Sequence, residues 1–199
     1  MGRKRTQREF EEQALVHIDA LYAFAARLCR NERDAEDLVQ ETLLRAYRFF
    51  DHYEEGTHCK AWLFKILHNN FINRYRRRQR DFALYGALLP NEGAGATVSH
   101  QAAEAAHDPE RAIFSEFLSV DVQRALDALP EEFRTTVILS DLEELSYREI
   151  ADVTEVPIGT VMSRLYRGRR LLQVALRRYA IEQGVIKEAD VIPLRRGIT

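Results

Sequence analysis

The segment from Ser146 to Arg178 constrains the fold most strongly, because it encodes two helices separated by a tight turn. Ser146 and Glu149 have the spacing of a capping box, in which the serine oxygen accepts a backbone N–H and the glutamate accepts one from the cap residue. The first helix is predicted to end near Thr154. Pro157 suits the first position of a second helix, where its missing N–H costs nothing. The pattern predicts a helix-turn-helix.

The second helix of this segment has a polar face and an apolar face. Steps of three and four residues place short polar side chains and arginines together on one side: Thr160, Ser163, Arg164 and Arg167. The apolar side consists of Val161, Leu165, Gly168 and Leu172. Arginine forks reach guanine edges and phosphates, and small hydroxyl side chains allow close approach to a groove. We therefore predict a DNA-reading helix; the alternative is a surface helix with a solvated basic face. Many such motifs carry glycine in the turn, where this chain has Glu155 or Val156.

The distribution of charge supports nucleic-acid binding, although the net charge of −2 does not. Residues 121–155 contain three arginines and ten acidic residues, whereas residues 163–178 contain six arginines and no acid. A second basic run, residues 74–80, has five arginines in seven positions. Two basic patches in an acidic chain indicate two separate contacts with a polyanion.

Helical periodicity predicts three helices in the N-terminal part of the chain, over residues 7–30, 31–50 and about 60–79. Asn31 is a plausible cap for the second, whose buried stripe is predicted to contain Ala35, Leu38, Thr42, Ala46 and Phe49. Its outer face is acidic with one apolar position: Asp37, Gln40, Glu41 and Leu44. Plain solvation is the simplest interpretation of that face.

The third helix combines amides and bases on one side, at Lys65, Asn69, Asn73 and Arg76. Amides can bond base edges, arginines can hold phosphates, and Tyr53 or Tyr75 could stack on unpaired bases, so single-stranded or distorted DNA is the predicted ligand. The alternative is that these arginines only complement the helix dipole and extend into water. Five arginines are more than capping requires, so we favour polyanion binding.

The periodicity ends near Asp81 and returns near Arg111, with glycines, prolines and small polar residues between. Helices are predicted over residues 111–128 and 131–144, before the helix-turn-helix. The expected fold is therefore all-α: two small helical domains, residues 7–80 and 111–180, with a flexible linker at 81–110 and a loose tail at 181–199.

Composition excludes several classes of protein. Hydrophobic residues make up 46% of the 199 positions, no run reaches the ~20 apolar residues of a membrane span, and the charged N-terminus is unlike a signal peptide. We expect a soluble, cytoplasmic protein without membrane association.

Cys29 and Cys59 fit no common zinc spacing and no disulfide framework, so no metal or cofactor is predicted, and direct redox sensing by either thiol is a minor alternative. There is no phosphate-binding glycine loop, nucleophile elbow or HExxH motif, so an enzyme is not expected.

Three motifs together resemble the extracytoplasmic-function (ECF) RNA polymerase sigma factors of the sigma-70 family. They are DAEDLVQETLLRAY at 34–47, KAWLFKILHNNFINRYRRRQR at 60–80 and LPEEFRTTVILSDLEELSYREIADVTEVPIGTVMSRLYRGRRLL at 129–172. The resemblance covers both predicted domains, which would be sigma region 2 and sigma region 4. It is closest to the branch that responds to thiol-oxidative stress, through FINRYRRRQR and PIGTVMSRLYRGRR.

The resemblance implies a role for each matching position. The −35 promoter element would be read by Thr160, Ser163, Arg164, Arg167 and Arg169. The −10 element would be bound as a melted strand with a flipped base by Tyr53, Asn69, Asn73, Arg74, Arg76 and Arg77. Asp34, Asp37, Gln40 and Glu41 would dock on the clamp helices of the largest subunit of core RNA polymerase.

The resemblance also implies partners. These are core RNA polymerase, contacted at the clamp helices and the flap, promoter DNA, and an anti-sigma factor, which in the thiol-stress branch is a zinc protein. The competing hypothesis is a helix-turn-helix regulator that binds duplex DNA without polymerase; it explains residues 146–178 but gives residues 31–80 no role.

Overall fold

A computed structural model describes residues 7–29, 31–53, 58–88 and 119–185, and every regular element in those ranges is helical. The predicted linker from residue 89 to 110, the predicted start of a helix at residue 111, and the tail beyond residue 185 lie outside them. We call residues 7–88 the N-terminal half and residues 119–185 the C-terminal half. None of the helices described is long and apolar enough to cross a membrane.

The N-terminal half contains four α-helices: α1 (Gln7–Ala14), α2 (Ile18–Cys29), α3 (Glu32–Phe49) and α4 (Cys59–Leu88). A 3₁₀ turn, Leu15–His17, divides the predicted first helix into α1 and α2. The side chain of Asn31 accepts a bond from the Asp34 backbone N–H at 3.1 Å, which confirms the predicted cap of α3. Helix α4 continues to Leu88, beyond the predicted linker start at 81, and the first helix-breaking proline of that stretch is Pro90.

The buried side of α3 differs from the prediction at its C-terminal end. Ala35, Leu38, Thr42 and Ala46 are buried as expected, but the Phe49 side chain is 50% exposed. A 3₁₀ turn, Phe50–His52, follows α3 and changes the helical phase, so the neighbouring Phe50 enters the core instead. There it packs edge-on against Phe10 and stacks on Tyr53.

The C-terminal half contains α5 (Val120–Asp127), α6 (Glu131–Val137), α7 (Tyr147–Thr154) and α8 (Ile158–Glu182). A π-helical turn, Ile138–Leu142, ends the predicted 131–144 helix early. The capping box at the start of α7 is present: the Ser146 oxygen accepts from the Glu149 N–H, and the Glu149 carboxylate accepts from the Ser146 N–H at 2.7 Å. Glu155 adopts the left-handed conformation, with φ of 55°, that glycine supplies in many helix-turn-helix proteins.

The two halves pack against each other, mainly where α7 lies on α4. Their buried side chains form one continuous apolar cluster that includes Phe64 and Leu67 of α4 and Ile150 and Val153 of α7. This packing places the amide face of α4 opposite the turn of the helix-turn-helix.

Candidate nucleic-acid interface

Helix α8 is anchored by a close approach to α6. Val161, Leu165 and Gly168 are buried, which confirms the predicted apolar face. A Cβ atom on Gly168 would lie 2.7 Å from a Val137 methyl carbon, so only glycine lets the two helices come this close. The opposite face of α8 is therefore held out toward solvent.

The outward face of α8 does not coincide fully with the predicted DNA-reading face. Ser163, Arg167 and Arg169 are exposed, whereas Thr160 and Arg164 lie at its edge and are only partly exposed. Helical spacing adds three exposed residues that sequence reasoning did not select: Met162, Tyr166 and Arg170. The exposed fractions are 54% for Met162 and 67% for Tyr166, large for apolar side chains. These three residues could have been identified from the sequence, because helical spacing places them away from the buried positions Val161, Leu165 and Gly168.

Two arginines of α8 are held by acids of the same half. The Arg164 guanidinium donates to the Glu132 carboxylate at 2.8 Å. Arg169 pairs with both carboxylate oxygens of Asp141 and donates to the Ser140 hydroxyl, and the hydrogen bond to Asp141 raises its pKa. Both are oriented by protein partners. Exposed Arg167 and Arg170 are better placed to reach a phosphate or a base edge.

The arginines of the basic run on α4, residues 74–80, point in different directions. Arg74 donates to the Glu41 carboxylate and to the Asp37 carbonyl oxygen, and Arg78 donates to the Asp34 carboxylate at 2.8 Å. These two arginines, four residues apart, face α3 and link the two helices. Arg76 and Arg77 are exposed on other sides of α4. The alternative interpretation was that these arginines only complement the helix dipole and extend into water. It does not hold for Arg74 and Arg78, because their partners are side chains and a backbone carbonyl of α3.

The amide face of α4 lines a cavity of about 760 Å³ between the halves. Asn69, Asn73 and Arg76 form part of one wall, and the opposite wall includes Glu132, Glu155 and Arg164. The neighbouring Asn70 does not reach the cavity; it is 2% exposed, accepts from Arg45 and donates to the Thr42 hydroxyl at 3.4 Å. Its role is to fix the register of α3 against α4.

A second groove, of about 300 Å³, lies entirely in the N-terminal half, between α3 and α4. It is lined by Arg45, Phe49, Trp62, Lys65, Ile66 and Asn69. Tyr53 is 6% exposed and packs between Phe50 and Trp62, with ring centroids 5.8 and 5.2 Å away. Its ring therefore cannot stack on a base in this arrangement. Phe49, which sequence reasoning placed in the core, lines the groove together with Trp62.

The outer face of α3 is amphipathic. Asp37, Gln40 and Glu41 are exposed beside Leu44, which is 61% exposed, and Tyr47, which is 51% exposed. Two large exposed apolar side chains among acids are more typical of a docking surface than of a solvated face.

Both cysteines, Cys29 and Cys59, are free thiols that are partly buried. Burial raises the pKa of Cys29 to about 11, so its reactive thiolate is scarce at neutral pH. Across the described ranges, no group of three or more His, Cys, Asp or Glu side chains is arranged to hold a metal ion.

Comparison with known proteins identifies the two halves. The sequence matches the models for sigma-70 region 2 over residues 15–81 and sigma-70 region 4 over residues 119–172. It is 38% identical to the ECF RNA polymerase sigma factor SigE of Mycolicibacterium smegmatis over 181 residues, which are 91% of this chain and 66% of that protein. It is 33% identical to the ECF RNA polymerase sigma factor SigW of Bacillus subtilis, over 88% of this chain and 92% of that one.

A solved structure has the same architecture. The sigma factor RpoE in complex with the anti-sigma factor NepR, from Bartonella quintana, superposes with a TM-score of 0.65 at 33% identity, covering 85% of this chain and 98% of that one. Fold and interface together define a two-part, helix-turn-helix protein of the transcription machinery. The chain belongs to the extracytoplasmic-function family of RNA polymerase sigma factors, whose function is promoter-directed transcription initiation.

Proposed function

We propose that this chain reads a −35 element through the outward face of α8, in the major groove. The observation that carries this proposal is the geometry of the helix-turn-helix. The back of α8 packs closely on α6 at Gly168. The exposed side chains on its front are those of Ser163, Tyr166, Arg167 and Arg170. Arginines supply bonds to guanine and phosphate, and Tyr166 and Met162 supply apolar surface for thymine methyl groups. Thr160 and Arg164 contact DNA from the edge of this face, Arg164 after exchanging its Glu132 partner for DNA. The remaining predicted residue, Arg169, positions α8 by pairing with Asp141, and its exposed side chain adds a phosphate contact.

For the −10 element, we propose that the groove between α3 and α4 captures one base flipped out of the melted strand. Its walls combine the aromatic surfaces of Phe49 and Trp62 with the amide of Asn69, which suits stacking and base-edge bonding together. Asn73 continues this face, and Arg76 and Arg77 hold the strand's phosphates. Tyr53 does not contact the base; its buried ring packs against the Trp62 ring and supports it. Arg74 acts by joining α4 to α3.

We propose that the outer face of α3 docks on the clamp helices of core RNA polymerase. Asp34, Asp37, Gln40 and Glu41 supply its polar contacts, and Leu44 and Tyr47 supply its apolar centre. Such an interface, with an apolar core and a charged rim, is typical of specific protein complexes. The C-terminal half would contact the polymerase flap.

Regulation by an anti-sigma factor is also part of the proposal. It is supported by the similarity to RpoE, which was solved with the anti-sigma factor NepR. Membership of the thiol-oxidative-stress branch, and a zinc-binding anti-sigma partner, stay predictions from the sequence motifs. The chain itself acts as a specificity subunit and not as a catalyst. The competing hypothesis, a regulator that binds duplex DNA without polymerase, is not favoured, because it leaves the match to sigma region 2 over residues 15–81 without a role.

The test is run-off transcription by core polymerase with fragmented genomic DNA from the host, followed by mapping of 5′ ends. Once the promoter is known, Arg167→Ala should reduce preference for the matched −35 sequence by about 1–3 kcal/mol, the value of one bidentate arginine–guanine contact. Arg164→Ala should cost less, because Arg164 must first leave Glu132. Equal losses on matched and mismatched −35 sequences would show that Arg167 contacts only phosphate.

A further inference from the structure

The groove between α3 and α4 contains a cation that none of the proposed promoter contacts uses. Arg45 lines the groove from α3, beside Phe49, and Lys65 and Asn69 line it from α4. No acidic side chain is among the described residues that line it. The groove therefore offers a ligand more hydrogen-bond donors than acceptors.

The guanidinium group of Arg45 is held by a neutral group. Its Nη1 atom donates to the side-chain carbonyl oxygen of Asn70 at 3.1 Å, so its partner in the described part of the chain is an amide and not a carboxylate. The neighbouring Arg74 and Arg78 are instead bound by carboxylates of α3, at 2.7 and 2.8 Å. An amide holds a guanidinium without cancelling its charge. The positive charge and the remaining N–H groups of Arg45 are therefore available to a ligand.

A chain of hydrogen bonds in the contact between α3 and α4 orients the Asn70 amide. The Thr42 hydroxyl donates its single hydrogen to the Leu38 carbonyl oxygen at 2.7 Å, so toward Asn70 it can only accept. Asn70 therefore turns its NH₂ group toward Thr42, at 3.4 Å, and its carbonyl oxygen toward Arg45. Thr42 is fully buried and Asn70 is 2% exposed, so water does not compete for these groups. The position of Arg45 is thus prepared before any DNA binds.

The shape of a guanidinium group distinguishes between the bases. Its edge donates two parallel hydrogen bonds, which suit a base with two acceptors side by side. Unpaired cytosine has such a pair at N3 and O2, and guanine has one at O6 and N7. In adenine an amino group lies between acceptors, and in thymine an N–H group lies between the two carbonyl groups. Phe49 and Trp62 can stack on any base, so discrimination in this groove depends on its donors.

We propose that Arg45 is a specificity-determining residue of this groove, where it selects cytosine or guanine as the captured base, and that Asn70 is the residue that positions it. This inference rests on the proposed capture of a flipped base between α3 and α4. It adds the class of base and the side chain that reads it. Lys65 attracts the strand without distinguishing bases, because an ammonium group lacks the fork of a guanidinium group.

The test uses holoenzyme assembled from the full-length chain and core polymerase, with fluorescent oligonucleotides of the melted −10 strand from a mapped promoter. An abasic site is placed at each position in turn, and the position where it weakens binding most is then filled with each natural base. We expect cytosine or guanine to bind there roughly 10- to 100-fold more tightly than adenine or thymine, the discrimination of one bidentate contact. A preference for adenine or thymine would overturn the proposal.

A base analogue distinguishes the two bases that share this chemistry. A preference for cytosine identifies the N3 and O2 edge as the one that is read. A preference for guanine that is lost with 7-deazaguanine, which lacks the N7 acceptor, identifies the O6 and N7 edge. A preference for guanine that persists with 7-deazaguanine would contradict reading by the Arg45 fork.

Substitutions on α3 assign the preference to one side chain. Arg45→Ala should lose most of the preference, and Arg45→Lys should lose it as well while keeping more of the affinity, because lysine retains the charge without the fork. Arg48→Ala is the matched control: Arg48 lies about one turn further along α3, is exposed and is not among the residues that line the groove, so the preference should persist. Weaker binding of all four bases in Arg45→Ala, with the preference intact, would show that Arg45 contacts only phosphate.

A double-mutant cycle tests the positioning role of Asn70 separately from its contribution to stability. Asn70→Ala should reduce the preference in the wild-type background and have no further effect on it in Arg45→Ala, since Asn70 acts through Arg45. Reductions that add would show that Asn70 is only structural. Circular dichroism checks that each variant is folded at the assay temperature. Thr42→Val, which removes the hydroxyl that orients Asn70, carries the same expectation and replaces Asn70→Ala if that variant does not fold.

Failure of the proposed function has a different signature in the same assay. If an abasic site weakens binding at no position, the groove captures no base and the proposed recognition of the −10 element is wrong. If one position is sensitive but its base preference does not change in Arg45→Ala, base capture stands and the role of Arg45 is wrong.

Discussion

Replacement of Gly168 by alanine tests how the recognition helix is seated. The new Cβ would lie 2.7 Å from Val137 Cγ2 and 3.4 Å from Phe133 Cβ. Val137 cannot turn aside easily, because it is 2% exposed and β-branched residues in helices have one strongly preferred rotamer. Overpacking of this kind costs about 1–3 kcal/mol. Alanine recovers about 1 kcal/mol through its better helix propensity. The net expectation is a loss of up to about 2 kcal/mol.

Gly159 supplies the control for this prediction, because it lies on the same helix and a Cβ there meets no atom within 4 Å. Gly159→Ala should therefore stabilise the protein by up to about 1 kcal/mol. Urea unfolding followed by far-UV circular dichroism should separate the two variants by about 1–3 kcal/mol. In a Val137→Ala background the clash disappears, so the cost of Gly168→Ala should fall. Equal stability of the two alanine variants would refute the claim that α6 and α8 require glycine at their contact.

Four further predictions concern stability and reactivity. Glu144→Gly should raise the free energy of unfolding by about 0.5–1 kcal/mol in urea titrations, because the left-handed backbone at φ of 58° strains any residue with a Cβ; a decrease would contradict this. Ser146→Ala should lower it by about 1 kcal/mol through loss of the α7 cap, and an unchanged urea midpoint would argue against the capping box. Because the pKa of His68 is lowered from 6.5 to about 4, the unfolded chain binds a proton more readily than the folded one. Stability should therefore fall as the pH drops from 6.5 to 4, by on the order of 3 kcal/mol, and His68→Leu should remove that pH dependence. Cys29, with its pKa raised to about 11, should react with iodoacetamide at pH 7.5 far more slowly than a free cysteine, as peptide mass spectrometry would show.

Local features of this chain could be predicted from sequence because their causes are local. The caps at Asn31 and Ser146 depend on partners three residues away, and both are present. The apolar side of α8 follows from helical spacing alone. The left-handed turn at Glu155 was harder to predict, since its residue type gives no signal for that conformation and the surrounding packing imposes it.

Features that depend on tertiary contacts could not be predicted. The basic run of α4 does not reveal that Arg74 and Arg78 face α3 while Arg76 does not, because this depends on how the two helices cross. The exchange of Phe49 for Phe50 in the core results from a 3₁₀ turn that apolar periodicity does not encode. The pair of Lys60 with Glu143 joins residues 83 positions apart, and no short-range pattern marks it.

The most direct test of the account is transcription by core RNA polymerase with and without the purified chain, on genomic fragments whose transcript 5′ ends are mapped. The account predicts new starts that depend on the protein and share two sequence motifs at fixed spacing. It also predicts that an α3 variant, Leu44→Asp, abolishes these starts while its circular dichroism spectrum stays unchanged. Starts that do not depend on the protein, together with tight binding of the chain to duplex DNA in the absence of polymerase, would contradict it.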